Sequence, residues 1–374
     1  MLRKTYVQVD LSAIAHNIRQ LKRTANTQVM AVVKADAYGH GMEQVARVAM
    51  EEGVEWFAVA TADEAVKLRD VTPAGHILLL SAPEDVQSAA ALVAADIAMC
   101  VYTPAHIRMI AEQCALQHKQ AAVHIKIDTG MHRIGLFKNE VQNVLDLLLT
   151  HGAKVEGIFT HYACSDCNQE LTQRQYDEFK SIVESLNYPF KYIHTSNTDA
   201  TVNFNDEIST HVRCGLGILG YSSFESDLKP VVSLYTHINN TKCLPKDQSL
   251  SYGHHYTTSK DEYISTLTIG YADGLWRKNT LRHVYVEDEY ATIVGNVCMD
   301  QLMIRTNQYH PFGTLVEIFG NHISLYDMAK ELDTIPYEIL TSLSDRVDRV
   351  YTYNNEIILK YNPRYNGLME DLCV

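Results

Sequence analysis

No apolar run in the 374-residue chain approaches the roughly 18 residues that a membrane-spanning helix requires. The opening residues, Met1-Leu2-Arg3-Lys4-Thr5-Tyr6, lack the apolar core of a secretory signal, so a cytoplasmic location is expected. An excess of basic charge is also missing. The net charge of −13 argues against nucleic acid or an anionic membrane as partner. There is no low-complexity tract, and no internal repeat beyond a β/α unit. The eight cysteines fall at irregular spacings in a chain too large to need disulfide staples, so free thiols in a reducing compartment are expected. One C-x-x-C occurs, Cys164-Ser165-Asp166-Cys167, with His161 nearby; the sequence supplies no further partner for a zinc or redox role.

What is present is a chain with 46% hydrophobic residues, enough for a large core, and its length predicts two or three domains. Leu11, Ile14, Ala15, Ile18 and Leu21 have helical spacing. Eight strand-like runs then alternate with helical stretches: Val29–Val33, Trp56–Ala60, Ile77–Leu80, Ile97–Val101, Val123–Ile127, Val155–Phe159, Tyr192–Thr195 and Val212–Leu219. Helical patterns are at 42–52, 62–70, 84–94, 104–117, 138–150 and 170–187, with Pro83 and Pro104 at helix starts. That alternation predicts an α/β fold, a (β/α)8 TIM-type barrel over residues 1–230. A doubly wound open sheet would carry a Gly-rich phosphate turn after its first strand; a lysine stands there instead. From about Ser233 short alternating strands take over, and residues 231–374 are expected to form a mainly β domain after a polar linker near Ser222–Pro230. Its helical stretches are expected at Leu325–Leu332 and Pro336–Leu343, and its last strand at Glu356–Tyr361.

Active-site residues of a barrel belong at the C-terminal ends of its strands. Lys34 ends the first strand, with Ala35 and Ala37 leaving room around the amine and Gly39 and Gly41 bracketing a turn. A lysine so placed can form a Schiff base with an aldehyde cofactor. Asp128-Thr129-Gly130-Met131-His132-Arg133 follows strand five and His161 follows strand six. Ser196-Asn197-Thr198 and Arg213-Cys214-Gly215-Leu216 occupy the ends of strands seven and eight, where barrels commonly bind phosphate. Thr198 offers a hydroxyl there, and Gly215 lets backbone N–H groups approach phosphate oxygens.

The string Ala31-Val32-Val33-Lys34-Ala35-Asp36-Ala37-Tyr38-Gly39-His40-Gly41 closely resembles the pyridoxal-phosphate signature of bacterial alanine racemases. Further strings resemble the family in order and spacing: His124 to Gly135, His194-Thr195-Ser196-Asn197-Thr198, Ser251-Tyr252-Gly253, Ile269 to Gly274, and Gly295 to Gln301. The resemblance covers nearly the whole chain. It implies pyridoxal 5′-phosphate as cofactor, held by Lys34, Tyr38, Arg133, His161, Asn197, Thr198, Arg213, Gly215 and Leu216. It implies Lys34 and Tyr252 as two bases on opposite faces of the substrate, with Arg133, Tyr271 and Met299 around it. Lys126 would be a candidate for carbamylation beside Arg133. No metal is expected.

The implied activity is interconversion of L- and D-alanine for peptidoglycan, by a homodimer in which each site takes Tyr252 from the partner chain. A phenol, of ordinary pKa near 10, is a poor base at neutral pH unless its phenolate is stabilised. Family geometry suggests that a network from Tyr252 through His161 to Arg213 does this. One position departs from the pattern: Asp345 stands where a tyrosine is common in the family, which keeps serine open as a substrate. A non-catalytic family that binds the same cofactor lacks the β domain, and decarboxylases of the two-domain fold carry a glutamate where Arg213 stands. Both are weaker readings than a racemase.

Overall fold

The computed structural model describes residues 3–364. It contains two compact units. One comprises Ala13–Ala37 and Gly41–Lys229; the other comprises the residues up to Ser12, Tyr38–His40, and the described residues from Pro230 onward.

After a first strand, β1 (Tyr6–Asp10), the first unit closes a parallel barrel. Its strands are β2 (Gln28–Val32), β3 (Trp56–Val59), β4 (His76–Leu79), β5 (Ala98–Val101), β6 (Ala122–Lys126), β7 (Lys154–Phe159), β8 (Tyr192–His194) and β9 (His211–Cys214). Strands such as β3 and β5 are buried at every position, because both faces of a barrel strand are covered. The intervening helices begin on side-chain caps. Thr61 and Glu64 form a reciprocal capping box, as do Asp85 and Ser88, and Thr103 caps a helix whose first residue is Pro104. Pro83 does not start a helix; the Asp85 cap sets the start at Val86. The expected strand Val212–Leu219 ends at Cys214, and Gly215 begins a tight turn in which Ile218 N–H donates to Gly215 O at 3.0 Å. A short helix, Thr198–Asn203, falls outside the expected pattern. Buried rings pack in the barrel, His124 on Tyr192 at 5.7 Å and Phe159 on His194 at 4.7 Å, while Trp56 stacks on the exposed His76 at 4.7 Å.

The second unit is a nine-stranded sheet with the order β13-β16-β15-β14-β17-β10-β1-β18-β19. Its strands after β1 are β10 (Val232–Leu244), β13 (Glu262–Leu267), β14 (His283–Val286), β15 (Glu289–Val294), β16 (Leu302–Thr306), β17 (Leu315–Phe319), β18 (Asp348–Tyr353) and β19 (Glu356–Tyr361). A separate two-stranded ribbon pairs β11 (Ser249–Leu250) with β12 (Tyr256–Thr257). Helices run over Leu325–Glu331 and Pro336–Ser342. The expected division into 1–230 and 231–374 is corrected at the N-terminus. β1 lies antiparallel to β10, with Val7 opposite Leu234, and parallel to β18, with Val7 beside Arg349. The chain therefore starts in the β sheet and only then enters the barrel unit.

Candidate active site

Lys34 does not close β2, which stops at Val32; it opens a turn of left-handed backbone. Ala35, Asp36, Ala37 and Tyr38 have φ of 51°, 53°, 51° and 55°. Left-handed backbone costs about 1–2 kcal/mol for each such residue, so other contacts must hold the segment in place. Ala35 N–H donates to Glu64 Oε1 at 2.6 Å, and Met42 N–H to Asp36 Oδ1 at 2.9 Å. Glu64 Oε2 also accepts from Ala60 N–H at 2.9 Å and Thr61 N–H at 3.2 Å. One carboxylate thus ties the lysine's turn to the end of the neighbouring strand. Sequence reasoning missed Glu64, although the Thr61-x-x-Glu64 capping box was visible as a motif.

Burial, then the Arg133 charge, lowers the Lys34 amine below its ordinary pKa, while Glu64 opposes the shift. Arg133 is exposed on a loop shaped by Asp128, whose Oδ1 accepts from Gly130 N–H and His132 N–H, each at 3.0 Å. Lys126 is buried, with Nζ donating to Ile127 O at 3.1 Å and lying 5.1 Å from the centre of the Phe159 ring. Burial and then Arg213 push its pKa down to about 7.

Arg213 is buried, and both of its terminal nitrogens are engaged. Nη1 donates to His194 O at 2.8 Å and to His194 Nδ1 at 2.9 Å. Nη2 donates to Thr160 O and Thr195 O, both at 2.8 Å, and to His161 Nδ1 at 3.1 Å. Burial lowers its pKa to about 10, so it stays cationic at neutral pH. His161 is held well below the usual histidine pKa by burial and then by Arg213, Lys126, Arg133 and Lys34. His194 and His124, absent from the sequence-based candidates, continue the network: His194 Nε2 and His124 Nδ1 are 2.8 Å apart.

The strand-seven and strand-eight loops meet at Thr198, whose Oγ1 accepts from Gly217 N–H at 3.0 Å. That leaves the hydroxyl proton available to an acceptor. Asn197 caps the short helix: its Oδ1 accepts from Ala200 N–H at 3.0 Å and from the Ser165 hydroxyl at 2.8 Å. Leu216 is buried, and its carbonyl accepts from Leu219 N–H at 3.0 Å and Tyr221 N–H at 3.1 Å.

Four cations, Lys34, Lys126, Arg133 and Arg213, therefore act on one histidine, while Glu64 and Asp128 are taken up by backbone N–H groups. This donor set fits an anionic ligand carrying an aldehyde and a phosphate.

In the β unit the three candidate strings converge. The Ser251 hydroxyl donates to Asn296 O at 2.9 Å, and Asn296 Nδ2 to Tyr252 O at 2.7 Å. Tyr271 N–H donates to Cys298 O and Ala272 N–H to Met299 O, each at 3.0 Å. Gly270 is required here because a Cβ would strike the Cys298 and Met299 carbonyls. Tyr252, Tyr271 and Met299 are left 75%, 43% and 52% exposed, and Tyr252 helps to line a cleft of about 610 Å³. Tyr38 packs edge-on against Tyr337 at 5.6 Å. The Asp345 carboxylate pairs with Arg364 Nε at 3.6 Å, so it is not presented as a bare charge.

Residues 9–223 match the family described as "Alanine racemase, N-terminal domain", and residues 231–351 match "Alanine racemase, C-terminal domain". Alanine racemase 2 of Caldanaerobacter subterraneus subsp. tengcongensis is 36% identical, over 95% of this chain and 97% of that protein. Among solved structures, the alanine racemase of Clostridium difficile 630 superposes with a TM-score of 0.92 at 32% identity, covering 98% of this chain and 100% of that one. The histidine racemase of Leuconostoc mesenteroides subsp. sake superposes with a TM-score of 0.87 at 27% identity, covering 94% and 98%.

Proposed function

The chain belongs to the alanine racemase family, and we propose that it interconverts L- and D-alanine with pyridoxal 5′-phosphate, using Lys34 and Tyr252 as the two bases. The observation that carries this reading is geometric: Lys34 stands on the left-handed turn after β2 that Glu64 ties down, and the buried Arg213 donates to His161 Nδ1 at 3.1 Å. Lys34, Tyr38, Arg133, His161, Asn197, Thr198, Arg213, Gly215 and Leu216 would hold the cofactor. When bound, the cofactor supplies an electron sink that acidifies the substrate's Cα–H.

The chain's residues supply the rest. Lys34, with its lowered pKa, exists as neutral amine at lower pH than a free lysine does, so it can take the proton from Cα on one face while the Tyr252 hydroxyl delivers a proton to Cα on the opposite face. In the reverse direction the Tyr252 phenolate takes the proton and the Lys34 ammonium delivers one. The 75% exposure of Tyr252 in a single chain supports a role in a partner's site, as the family's homodimer implies. His161 accepts from Arg213 through Nδ1, which leaves its Nε2–H to donate to a phenolate oxygen. Arg213 remains a guanidinium and cannot serve as an acid at neutral pH, so beside the cofactor's ring nitrogen it would supply no proton. Arg133 and the Met299 backbone would orient the substrate carboxylate, and Tyr271 would border the entrance. A cytoplasmic location and supply of D-alanine to peptidoglycan belong to this reading.

A second reading, racemisation of serine, is favoured by Asp345, which places a carboxylate paired with Arg364 where the family commonly has a tyrosine. Purified protein incubated separately with L-alanine and L-serine, followed by optical rotation, distinguishes the two. The proposal expects rotation to decay fastest with L-alanine; a protein inert toward both overturns it.

A further inference from the structure

The C-x-x-C of the loop after β7 has no part in the chemistry described above. Cys167 N–H donates to Cys164 O at 3.2 Å, and Asn168 N–H to the same carbonyl at 2.8 Å. An i to i+3 hydrogen bond defines a turn whose end Cα atoms lie within about 7 Å. A disulfide spans Cα separations of roughly 4.4–6.8 Å, so the turn already brings the two cysteines to bonding range. The Cys167 thiol is exposed, with the Asp166 and Cys164 side chains as its neighbours. Among the described residues, there is no group of three or more His, Cys, Asp or Glu side chains that could hold a metal ion.

The turn is wired to the phosphate end of the barrel. Ser165, between the cysteines, is buried, and its hydroxyl donates to Asn197 Oδ1 at 2.8 Å. That same oxygen accepts Ala200 N–H and so caps the helix that begins with Thr198. Ser165 thus links the backbone between the two cysteines to Asn197, so a shift of that backbone on disulfide closure is passed to the capping side chain.

We propose that Cys164 and Cys167 form a redox modification site, closed to an intramolecular disulfide by a low-molecular-weight disulfide such as oxidised glutathione, and that closure loosens the Asn197–Thr198 segment. The Cys167 thiolate attacks one glutathione sulfur and expels a glutathione thiolate. The deprotonated Cys164 then attacks Cys167 Sγ and expels the second. Two protein thiols lose two protons and two electrons, and one glutathione disulfide becomes two glutathione thiols. Desolvation, then Asp166 and the neighbouring Cys164, push the Cys167 pKa up to about 11. Closure is therefore slow near neutral pH, with the thiolate fraction rising about tenfold per pH unit. For the same reason the reduced form gains no thiolate stabilisation, so the disulfide resists reduction once made.

The consequence for the cofactor rests on the reading that Asn197 and Thr198 flank its phosphate. The test incubates the holoenzyme with oxidised or reduced glutathione. It reads three quantities: the mass of the peptide containing Cys164 and Cys167, amide exchange across Thr198–Asn203, and cofactor retained after gel filtration. The proposal expects a peptide lighter by two hydrogens, faster exchange at Ala200, and cofactor affinity lowered about fivefold, the value of one lost hydrogen bond of roughly 1 kcal/mol. Dithiothreitol should reverse all three. Cys164→Ser and Cys167→Ser should keep the reduced protein's activity and ignore oxidised glutathione. A peptide that stays dithiol, a persistent glutathione adduct on Cys167, or a mapped disulfide with unchanged exchange overturns the proposal. Faster exchange with unchanged cofactor retention refutes the phosphate assignment of Asn197 and Thr198, and with it the claimed effect on the cofactor. Reduced protein that neither binds cofactor nor racemises refutes the functional reading, whereas peptide mass and amide exchange still decide the switch.

Discussion

Arg213 Nη1 donates to His194 Nδ1 across 2.9 Å, and this fixes where the neighbouring histidines carry their protons. A guanidinium has no acceptor, so His194 must accept at Nδ1 and carry its proton on Nε2. That proton faces His124 Nδ1 at 2.8 Å, which places the His124 proton on Nε2, an atom with no hydrogen-bond partner among the described residues. Both rings are neutral: burial holds His194 well below the usual range and His124 at about 3. Room for the His124 ring comes from Gly157, where an added Cβ would strike it. Gly157→Ala should therefore destabilise the protein by about 1–3 kcal/mol, the usual cost of overpacking. Urea unfolding measures this, and an unchanged midpoint would contradict the packing described.

The same burial gives stability a pH dependence. Unfolded, His124 takes up a proton near 6.5; folded, it does so only at about 3. Its folded pKa is depressed, so between those values the unfolded chain binds the extra proton and stability falls as pH falls. The slope is about 1.4 kcal/mol per pH unit for one such group. His211, lowered to about 4, acts in the same direction over a narrower window. His124→Gln should flatten the dependence between pH 6.5 and 4 by about one proton's worth, measured by denaturant titration at a series of pH values.

Lys126, lowered to about 7, carries an appreciable neutral fraction at physiological pH. A neutral amine adds to carbon dioxide, and the resulting carbamate would turn a cation beside Arg213 and Arg133 into an anion. Protein equilibrated with 13C-labelled bicarbonate should show a carbamate carbon signal that disappears in Lys126→Arg. A signal of equal strength in that variant would assign it to another lysine.

Arg213→Glu replaces a group that cannot release a proton near neutral pH with one that can. Racemisation should fall on the order of a hundredfold, and the ratio of transamination to racemisation should rise. Pyruvate formation followed beside chiral analysis of the alanine pool measures both. An unchanged ratio would mean that Arg213 does not face the ring.

The barrel was legible because its strands are short apolar runs of regular spacing, and those from Trp56 to Phe159 end within one residue of expectation. The place of Tyr6–Asp10 was not, although its alternating pattern is plain: a parallel partner in β18, more than 300 residues away, leaves no local trace. Asp348–Tyr353 was missed because it is buried at five of six positions and carries Asp348 and Arg349, so it reads neither as an alternating nor as an apolar strand. At the candidate site, Lys34 and Arg213 could be read from their strings. The left-handed backbone after Lys34 could not, since Ala, Asp and Tyr are held there by contacts such as those of Glu64 with Ala35 N–H and of Asp36 with Met42 N–H. His124 and His194 were quoted within motifs and left without a role, because only the closed barrel brings β6 and β8 rings into hydrogen-bonding contact.

The central claim is a site built from Lys34 of one chain and Tyr252 of another, and co-expression of Lys34→Ala with Tyr252→Phe tests it most directly. Each mixed dimer would hold one intact site and one doubly damaged site. Random pairing makes about half of the dimers mixed, so activity should return to about a quarter of wild type. Activity that stays at the level of the single variants would contradict the shared site.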